Sequence, residues 1–178
     1  DLMNVVTRNL SKYFSELDIG MVKIGLQEII INAIEHGNLG ITYQEKTKLK
    51  EESDDNPFTY LEILQERQKL PENRHKKVKV KYTLNPDYLE YIIADEGKGF
   101  DHKKMLAEEG QANELGLSHG RGITMSRGIF TEVRYNDKGN EVTLIKKIED
   151  SPYWYSKYQK AFKKKFWSCI MDFVKDLM

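Results

Sequence analysis

The sequence of 178 residues has little of several features that define whole classes of protein. It contains one cysteine, Cys169, which excludes an internal disulfide and a cysteine-rich zinc site and fits a reducing compartment. Lys plus Arg and Asp plus Glu both number 28, so the chain lacks the basic excess that is typical of nucleic-acid-binding proteins. We therefore expect a cytoplasmic protein that does not bind nucleic acid directly.

Long apolar runs are also missing from the sequence. No stretch of about 18 apolar residues and no signal peptide is visible, so we expect no transmembrane segment. The four histidines, His36, His75, His102 and His119, do not have the spacing of a zinc site. The length suits one domain with a substantial core, and a start at Asp1 is compatible with a fragment of a longer protein.

The most informative stretch runs from Glu28 to Asn38. Glu28, Asn32 and His36 follow each other at i, i+4 spacing, which aligns an acid, an amide and an imidazole on one helix face. That face borders a side predicted to be buried, formed by Leu26, Ile29, Ile30, Ala33 and Ile34. For one isolated helix, a solvated polar face is the simpler interpretation. Gly37 is expected to end the helix as a glycine C-cap.

A second motif runs from Asp95 to Asp101. The preceding residues, Tyr88 to Asp95, are predicted as a strand that places Asp95 at the end of an apolar face formed by Leu89, Tyr91 and Ile93. Gly97 and Gly99 lack a Cβ, so a ligand can approach the backbone there or the chain can adopt a positive φ. Alone this motif is weak, because glycine turns after strands are common.

Two further stretches complete the pattern. The residues from Gly116 to Gly128 are rich in glycine and lead into a helix predicted for Ile123 to Arg127, an arrangement that suits phosphate binding by backbone N–H groups. The residues from Asn140 to Lys147 are predicted as a strand that carries Thr143.

The four stretches in this order resemble the ATP-binding fold shared by DNA gyrase, the heat-shock chaperone, MutL-type repair proteins and sensor histidine kinases. The Glu-His-Gly-Asn ending of the first motif is similar to that of the bacterial anti-sigma-factor serine/threonine kinases. Histidine kinases usually have a lysine and an aromatic residue there. The resemblance covers about Asn4 to Ile148. We expect an α+β fold, a two-layer α/β sandwich with a mixed, mostly antiparallel sheet and helices on one face.

This resemblance implies ATP and Mg²⁺ as cofactors and gives roles to individual residues. Glu28 would be the catalytic base, Asn32 would coordinate the Mg²⁺ ion, and Asp95 would accept a hydrogen bond from the adenine amino group. Such a site would supply the metal and the positioned groups that phosphoryl transfer requires. The other residues assigned to nucleotide binding are His36, Gly97, Gly99, Gly120, Arg121, Gly122 and Thr143. Among these, Thr143 would assist Asp95, and Arg121 would reach the γ-phosphate.

Residues 1–150 are expected to form the ATP-binding domain, and residues 151–178 an amphipathic helical extension. The domain would contain a helical insertion at about residues 41–74 and an ATP lid at about residues 102–119. The insertion is either a solvated elaboration or a surface for a partner protein. The extension would pack on this domain or on a second copy, with a membrane surface or a partner protein as alternatives.

Periodicity and turn residues predict the secondary structure. A first helix is predicted from Leu2 to Leu17, ended by a break at Asp18-Ile19-Gly20. The insertion is predicted as two helices, and the sheet as at least four strands. The predicted insertion helices are Ile41 to Glu52 and Phe58 to Lys69, and the strands are Val78 to Leu84, Tyr88 to Asp95, Ile129 to Tyr135 and Glu141 to Ile148.

Three functions are compatible with these features. The first is a serine/threonine protein kinase that binds a sigma factor or a similar client, phosphorylates an antagonist protein and thereby exchanges partners. The second is an ATP-gated regulatory module without phosphotransfer. The third is the catalytic domain of a histidine kinase, which the first motif disfavours. A homodimer and fusion to a receiver or phosphatase domain are compatible with each of them.

Overall fold

The computed structural model describes residues 2–53, 56–102, 104 and 121–148, with the backbone alone for residues 121–124. The helices in these ranges are α1 (Leu2–Val6), α2 (Glu16–Asn32), α3 (Tyr43–Glu52), α4 (Pro57–Lys69) and α5 (Arg121–Ile129). A 3₁₀ turn (Leu10–Lys12) precedes α2, and a π-helix (Ala33–Asn38) continues it. The strands are β1 (Lys79–Leu84), β2 (Tyr88–Ala94), β3 (Glu132–Tyr135) and β4 (Glu141–Lys147). The predicted extension at residues 151–178 lies outside the described residues.

The four strands form one sheet in the order β1-β2-β4-β3, and every pairing is antiparallel. Ile93 in β2 lies opposite Val80 in β1 and Val142 in β4, so apolar side chains line up across the sheet. In β2 the buried residues alternate with half-buried ones, as the period of a strand with one inner face requires. The sequence correctly predicted a mostly antiparallel sheet.

The core lies between one face of this sheet and the helices. Leu26 of α2 and Leu89 and Leu144 of the sheet are fully buried, and Ile129 and Phe130 at the end of α5 close the layer. The remaining core residues are Val6, Leu10, Phe14, Val22, Ile29, Ala33, Tyr91, Ile93, Val142 and Ile148. The predicted α+β fold, a two-layer sandwich, is therefore confirmed.

The start of the chain differs from the prediction. Instead of one helix from Leu2 to Leu17, the chain forms α1 and a 3₁₀ turn, and α2 begins at Glu16, before the predicted break. Ser15 is the N-cap of this helix. Its Oγ accepts a hydrogen bond from the Asp18 N–H at 3.1 Å, and the Ser15 N–H donates to Asp18 Oδ2 at 3.4 Å. Asp18 is thus part of a capping box, and Leu17, the last residue of the predicted first helix, lies in α2 and is 77% exposed.

The end of the motif helix, which is α2 together with the π-helix that continues it, also differs. Gly37 is not a C-cap, because the helix widens into the π-helix and continues to Asn38, and the Leu39 N–H bonds to the Ile34 carbonyl at 2.9 Å. The wider turn changes which side chains face inward. Ile34, predicted to be buried, is 40% exposed, whereas Glu35 is only 4% exposed. The buried carboxylate of Glu35 was not expected from the sequence.

One buried hydrogen bond joins the sheet to α1. The Tyr91 hydroxyl donates to the Val6 carbonyl at 2.8 Å, and both residues are buried. We expect Tyr91→Phe to lower the free energy of unfolding by about 1 kcal/mol, since it leaves this carbonyl without its donor. Urea unfolding measures the change. Tyr82→Phe is the control, because the neighbouring Tyr82 is 39% exposed; equal losses in the two variants would contradict the assignment.

Candidate functional site

The first two sequence motifs touch each other in the structure. A Cβ at Gly37 would lie 2.6 Å from Asp95 Oδ1, and a Cβ at Gly97 would overlap the Gly37 carbonyl. The Asn38 side-chain oxygen accepts a hydrogen bond from the Glu96 N–H at 2.8 Å. Only glycine fits at the two contact positions, so Gly37 has a role in packing instead of the predicted role as a helix cap.

Three hydrogen bonds fix the position of Asp95. Its N–H donates to the Asn140 carbonyl at 3.0 Å, and the Asn140 side-chain Nδ2 donates back to the Asp95 carbonyl at 3.0 Å. The Gly97 N–H donates to Asp95 Oδ1 at 2.7 Å. Burial raises the pKa of the Asp95 carboxyl, and the hydrogen bond from Gly97 opposes this shift. Within the described part of the chain, Oδ2 of this carboxylate has no hydrogen-bond donor.

A second glycine pair brings the turn after β2 to the β3–β4 hairpin. Gly99 and Gly139 have φ angles of +76° and +74°, a region that favours glycine. The Phe100 N–H donates to the Lys138 carbonyl at 3.1 Å, and a Cβ at either glycine would overlap backbone atoms of the other segment. These contacts hold Phe100 and Tyr135 edge to face, with ring centroids 5.3 Å apart.

These elements surround a cavity of about 540 Å³, a size that suits a small organic ligand. Its apolar lining includes Ile29, Ala33, Ile93 and Val142. Its polar lining comes from α2 and the π-helix (Glu28, Asn32, His36), from the strand ends (Asp95, Asn140, Glu141) and from α3 (Thr42, Tyr43, Lys46, Lys50). The acid, amide and imidazole aligned in the sequence therefore face the same space as the carboxylate at the end of β2.

The predicted insertion contributes to this cavity. Lys46 of α3 forms an ion pair with the buried Glu35 at 2.5 Å. The hydroxyl of Tyr60 in α4 lies near the same carboxylate, and burial followed by the charge of Glu35 raises the Tyr60 pKa. His36 Nδ1 lies 2.5 Å from the Ile41 carbonyl, which connects the π-helix to the loop before α3. Both insertion helices are thus anchored to the motif helix.

Five of the predicted site residues line the cavity, namely Glu28, Asn32, His36, Asp95 and Gly99. Gly97 is not part of the lining, but its N–H donates a hydrogen bond to the Asp95 carboxylate. Thr143 alternates with the buried Val142 and Leu144, so it lies on the opposite face of the sheet and cannot assist Asp95 as predicted.

The remaining predicted site residues lie partly or wholly outside the described residues. Arg121 and Gly122 begin α5, where only the backbone is described. Gly120 and most of the predicted lid at residues 102–119 lie outside the described residues. In the parts of the chain that the structure covers, no group of three His, Cys, Asp or Glu side chains could hold a metal ion alone.

Sequence reasoning missed Asn140, Lys46 and Lys50. Asn140 was predicted only as the first residue of the strand that carries Thr143, although an amide side chain at the start of a strand was a usable signal. The two lysines are four residues apart in a predicted helix, so the sequence placed them on one face but gave no indication of what that face meets.

The cavity combines an apolar lining with a carboxylate oxygen that has no donor in the described part of the chain. Apolar side chains can cover a planar ring, and the free oxygen of Asp95 can accept a hydrogen bond from an exocyclic amino group. The fold and the site together define a two-layer α+β domain with a partly apolar cavity that suits a small organic ligand.

Comparison with known proteins supports this class. A sequence profile of the family described as histidine kinase-like ATPase domain matches residues 67–146, somewhat less than half of the chain. The match supports this family and implies ATP binding, but it does not distinguish the anti-sigma-factor subtype. It begins after the motif helix, which the structure places against the matched part. No curated protein matches the chain. None of the described helices is long and apolar enough to cross a membrane.

The contact between Gly37 and Asp95 can be tested by adding one methyl group. We expect Gly37→Ala to lower the free energy of unfolding by about 1–3 kcal/mol, because the new Cβ meets the carboxylate. The matched control is Gly20→Ala within α2, where a Cβ has no neighbour within 4 Å. That change should raise the free energy of unfolding by about 0.5–1 kcal/mol. Similar effects of the two substitutions in urea unfolding would show that the contact is absent.

The half-buried Asp95 carboxylate should make stability depend on pH. Its pKa is raised, so the folded state holds this proton more tightly than the unfolded state, and the Asp95 contribution to stability falls as pH rises through the raised pKa. We expect Asp95→Asn to gain stability over the wild type at pH 7 and to lose this advantage at about pH 4. Urea unfolding at both pH values, with the exposed Asp137→Asn as control, measures the difference. An advantage that is independent of pH would contradict this explanation.

Proposed function

We propose that this chain binds Mg²⁺ and ATP and acts as a serine/threonine protein kinase of the partner-switching type. The observation that carries the proposal is the meeting of Glu28 and Asn32 with Asp95 around one cavity. These residues come from a helix and from a strand end more than 60 residues away in the sequence. A polar face that was merely solvated would not need to share a cavity with a half-buried carboxylate and apolar side chains.

Each residue has a defined task in this proposal. Asp95 accepts a hydrogen bond from the amino group of the base, and Ile29 and Val142, which also line the cavity, cover the ring. The Asn32 side-chain oxygen is a suitable ligand for Mg²⁺, which proteins commonly bind through few side chains together with substrate phosphates. Glu28, one turn before Asn32, orients the substrate hydroxyl and takes its proton. The nucleotide, when bound, supplies the phosphoryl group.

The protein substrate would be an antagonist protein, and the client a sigma factor or a similar regulator. This assignment rests on the similarity of Glu35-His36-Gly37-Asn38 to the anti-sigma-factor kinases. The structure adds a physical reason for the motif, because Glu35 anchors α3, Gly37 accommodates Asp95 and Asn38 binds the Glu96 N–H. A homodimer and a fused receiver or phosphatase domain remain part of the same proposal.

A second candidate is an ATP-gated binding module without phosphotransfer. The anchoring of α3 and α4 to the motif helix through Glu35 favours it, because a ligand in the cavity contacts α3 directly. Occupancy of the cavity can then change the position of the insertion, which a partner protein would detect without any chemical step.

Calorimetry with ATP and Mg²⁺ combined with turnover of γ-labelled ATP tests the proposal. We expect Asp95→Asn to weaken ATP binding about 100-fold, since the amide removes the charged acceptor of the base. Glu28→Ala should retain binding and lose turnover or transfer to an antagonist protein by about 100-fold or more. Glu62→Ala on the exposed surface of α4 is the control for both measurements.

The outcomes separate the two candidates. Binding without turnover or transfer by the wild type, with every antagonist tested, favours the gated module. Unchanged turnover in Glu28→Ala contradicts the role of this carboxylate. If the wild type does not bind ATP, the assignment of the cavity is wrong.

A further inference from the structure

One face of α3 presents two cations to the cavity. Lys46 and Lys50 are four residues apart and both line it, together with Thr42 and Tyr43 at the start of the helix. Lys48, between them in the sequence, is not part of the lining, and its side chain is 74% exposed. The periodicity of the helix thus directs two of the three lysines toward the cavity.

Lys46 is held at the cavity wall by an ion pair with the buried Glu35. Glu35 is nearly fully buried, so its charge requires a cation, and Lys46 supplies it at 2.5 Å. The ammonium group of lysine has three N–H donors, so bonding to one carboxylate leaves donors for a second anion. The side chain of Lys46 is one-fifth exposed, which is compatible with contact to a ligand in the cavity.

Lys50 is less constrained. Its Nζ lies 6.0 Å from the centroid of the Tyr60 ring, and no carboxylate in the described ranges lies within salt-bridge distance of it. An ammonium group that borders a cavity without a carboxylate partner is a suitable contact for a phosphate oxygen.

The charges in the cavity have a consistent arrangement. At the strand ends it is lined by the carboxylates of Asp95 and Glu141, whereas among the described residues its cations come from α3. The remaining carboxylate, Glu28 on α2, is the proposed catalytic base and belongs with the phosphates. A nucleotide has two matching ends, because its base donates hydrogen bonds at one end and its phosphate chain carries negative charge at the other. From this correspondence we infer that Lys46 and Lys50 contact the phosphate groups, so the insertion takes part in nucleotide recognition. The inference rests on the proposed function of the cavity.

Titration of a series of ligands tests the inference. Wild type, Lys46→Met and Lys50→Met are titrated with ATP, ADP and adenosine in the calorimeter, and Lys48→Met is the matched control. We expect Lys50→Met and Lys46→Met each to weaken ATP binding about tenfold or more, because a charge-assisted hydrogen bond is lost. Adenosine binding should stay unchanged in all variants, and Lys48→Met should bind ATP like the wild type.

A second variant guards against loss of folding. Lys46→Met leaves the buried Glu35 without its cation, so the double variant Glu35→Gln with Lys46→Met removes both charges. It should bind adenosine like the wild type and ATP about tenfold or more weakly. Equal weakening of ATP and adenosine in the double variant would overturn the role of Lys46 in phosphate binding.

The remaining results separate the inference from the proposed function. ATP binding at wild-type strength in both Lys46→Met and Lys50→Met overturns the inference and leaves ATP binding intact. A wild type that binds ATP no more tightly than adenosine also overturns it, since the phosphates then make no net contribution. A wild type that binds none of the three ligands contradicts the proposed function itself, and the inference fails with it.

Discussion

The contact between the Gly37 backbone and the turn after Asp95 is the constraint on which the site depends. It forces the end of the motif helix against the end of β2, and neither Gly37 nor Gly97 can carry a side chain there. Hydrogen bonds from Glu96 to Asn38 and between Asp95 and Asn140 then connect the helix, the turn and the β3–β4 hairpin. The cavity follows from this contact, because the polar face of the helix and the carboxylate of Asp95 are brought to the same space. Holding that carboxylate partly buried opposes stability, a common compromise at functional sites.

Much of the framework could be predicted from local patterns. Strand β2 alternates strictly, so its inner face and the position of Asp95 at the end of that face followed from a period of two residues. Glu28 and Asn32 were also correctly placed on one face, since the helix is regular up to Asn32. His36 lies in the π-helix and lines the same cavity. These features depend on neighbours in the sequence. The resemblance to a known family predicted that they form one site.

The features that were missed depend on contacts between distant segments. The π-helix changes the period at Ala33, which exposes Ile34 and buries Glu35, and no local signal marked that change. Thr143 was assigned to the site by motif, but its place in the alternation of β4 directs it to the other face of the sheet. Both interpretations of the insertion, a solvated elaboration or a surface for a partner protein, place it at the surface of the domain. Its ion pair with Glu35 and its share of the cavity lining become visible only when the chain is folded.

The most direct measurement of the central claim is a crystal structure of this chain with Mg²⁺ and a non-hydrolysable ATP analogue. We expect the base in the cavity, with its amino group within hydrogen-bond distance of Asp95 and the ring against Ile29 and Val142. The metal and the phosphates should lie on the side of Glu28 and Asn32. A nucleotide bound elsewhere, or a base directed away from Asp95, would contradict the account.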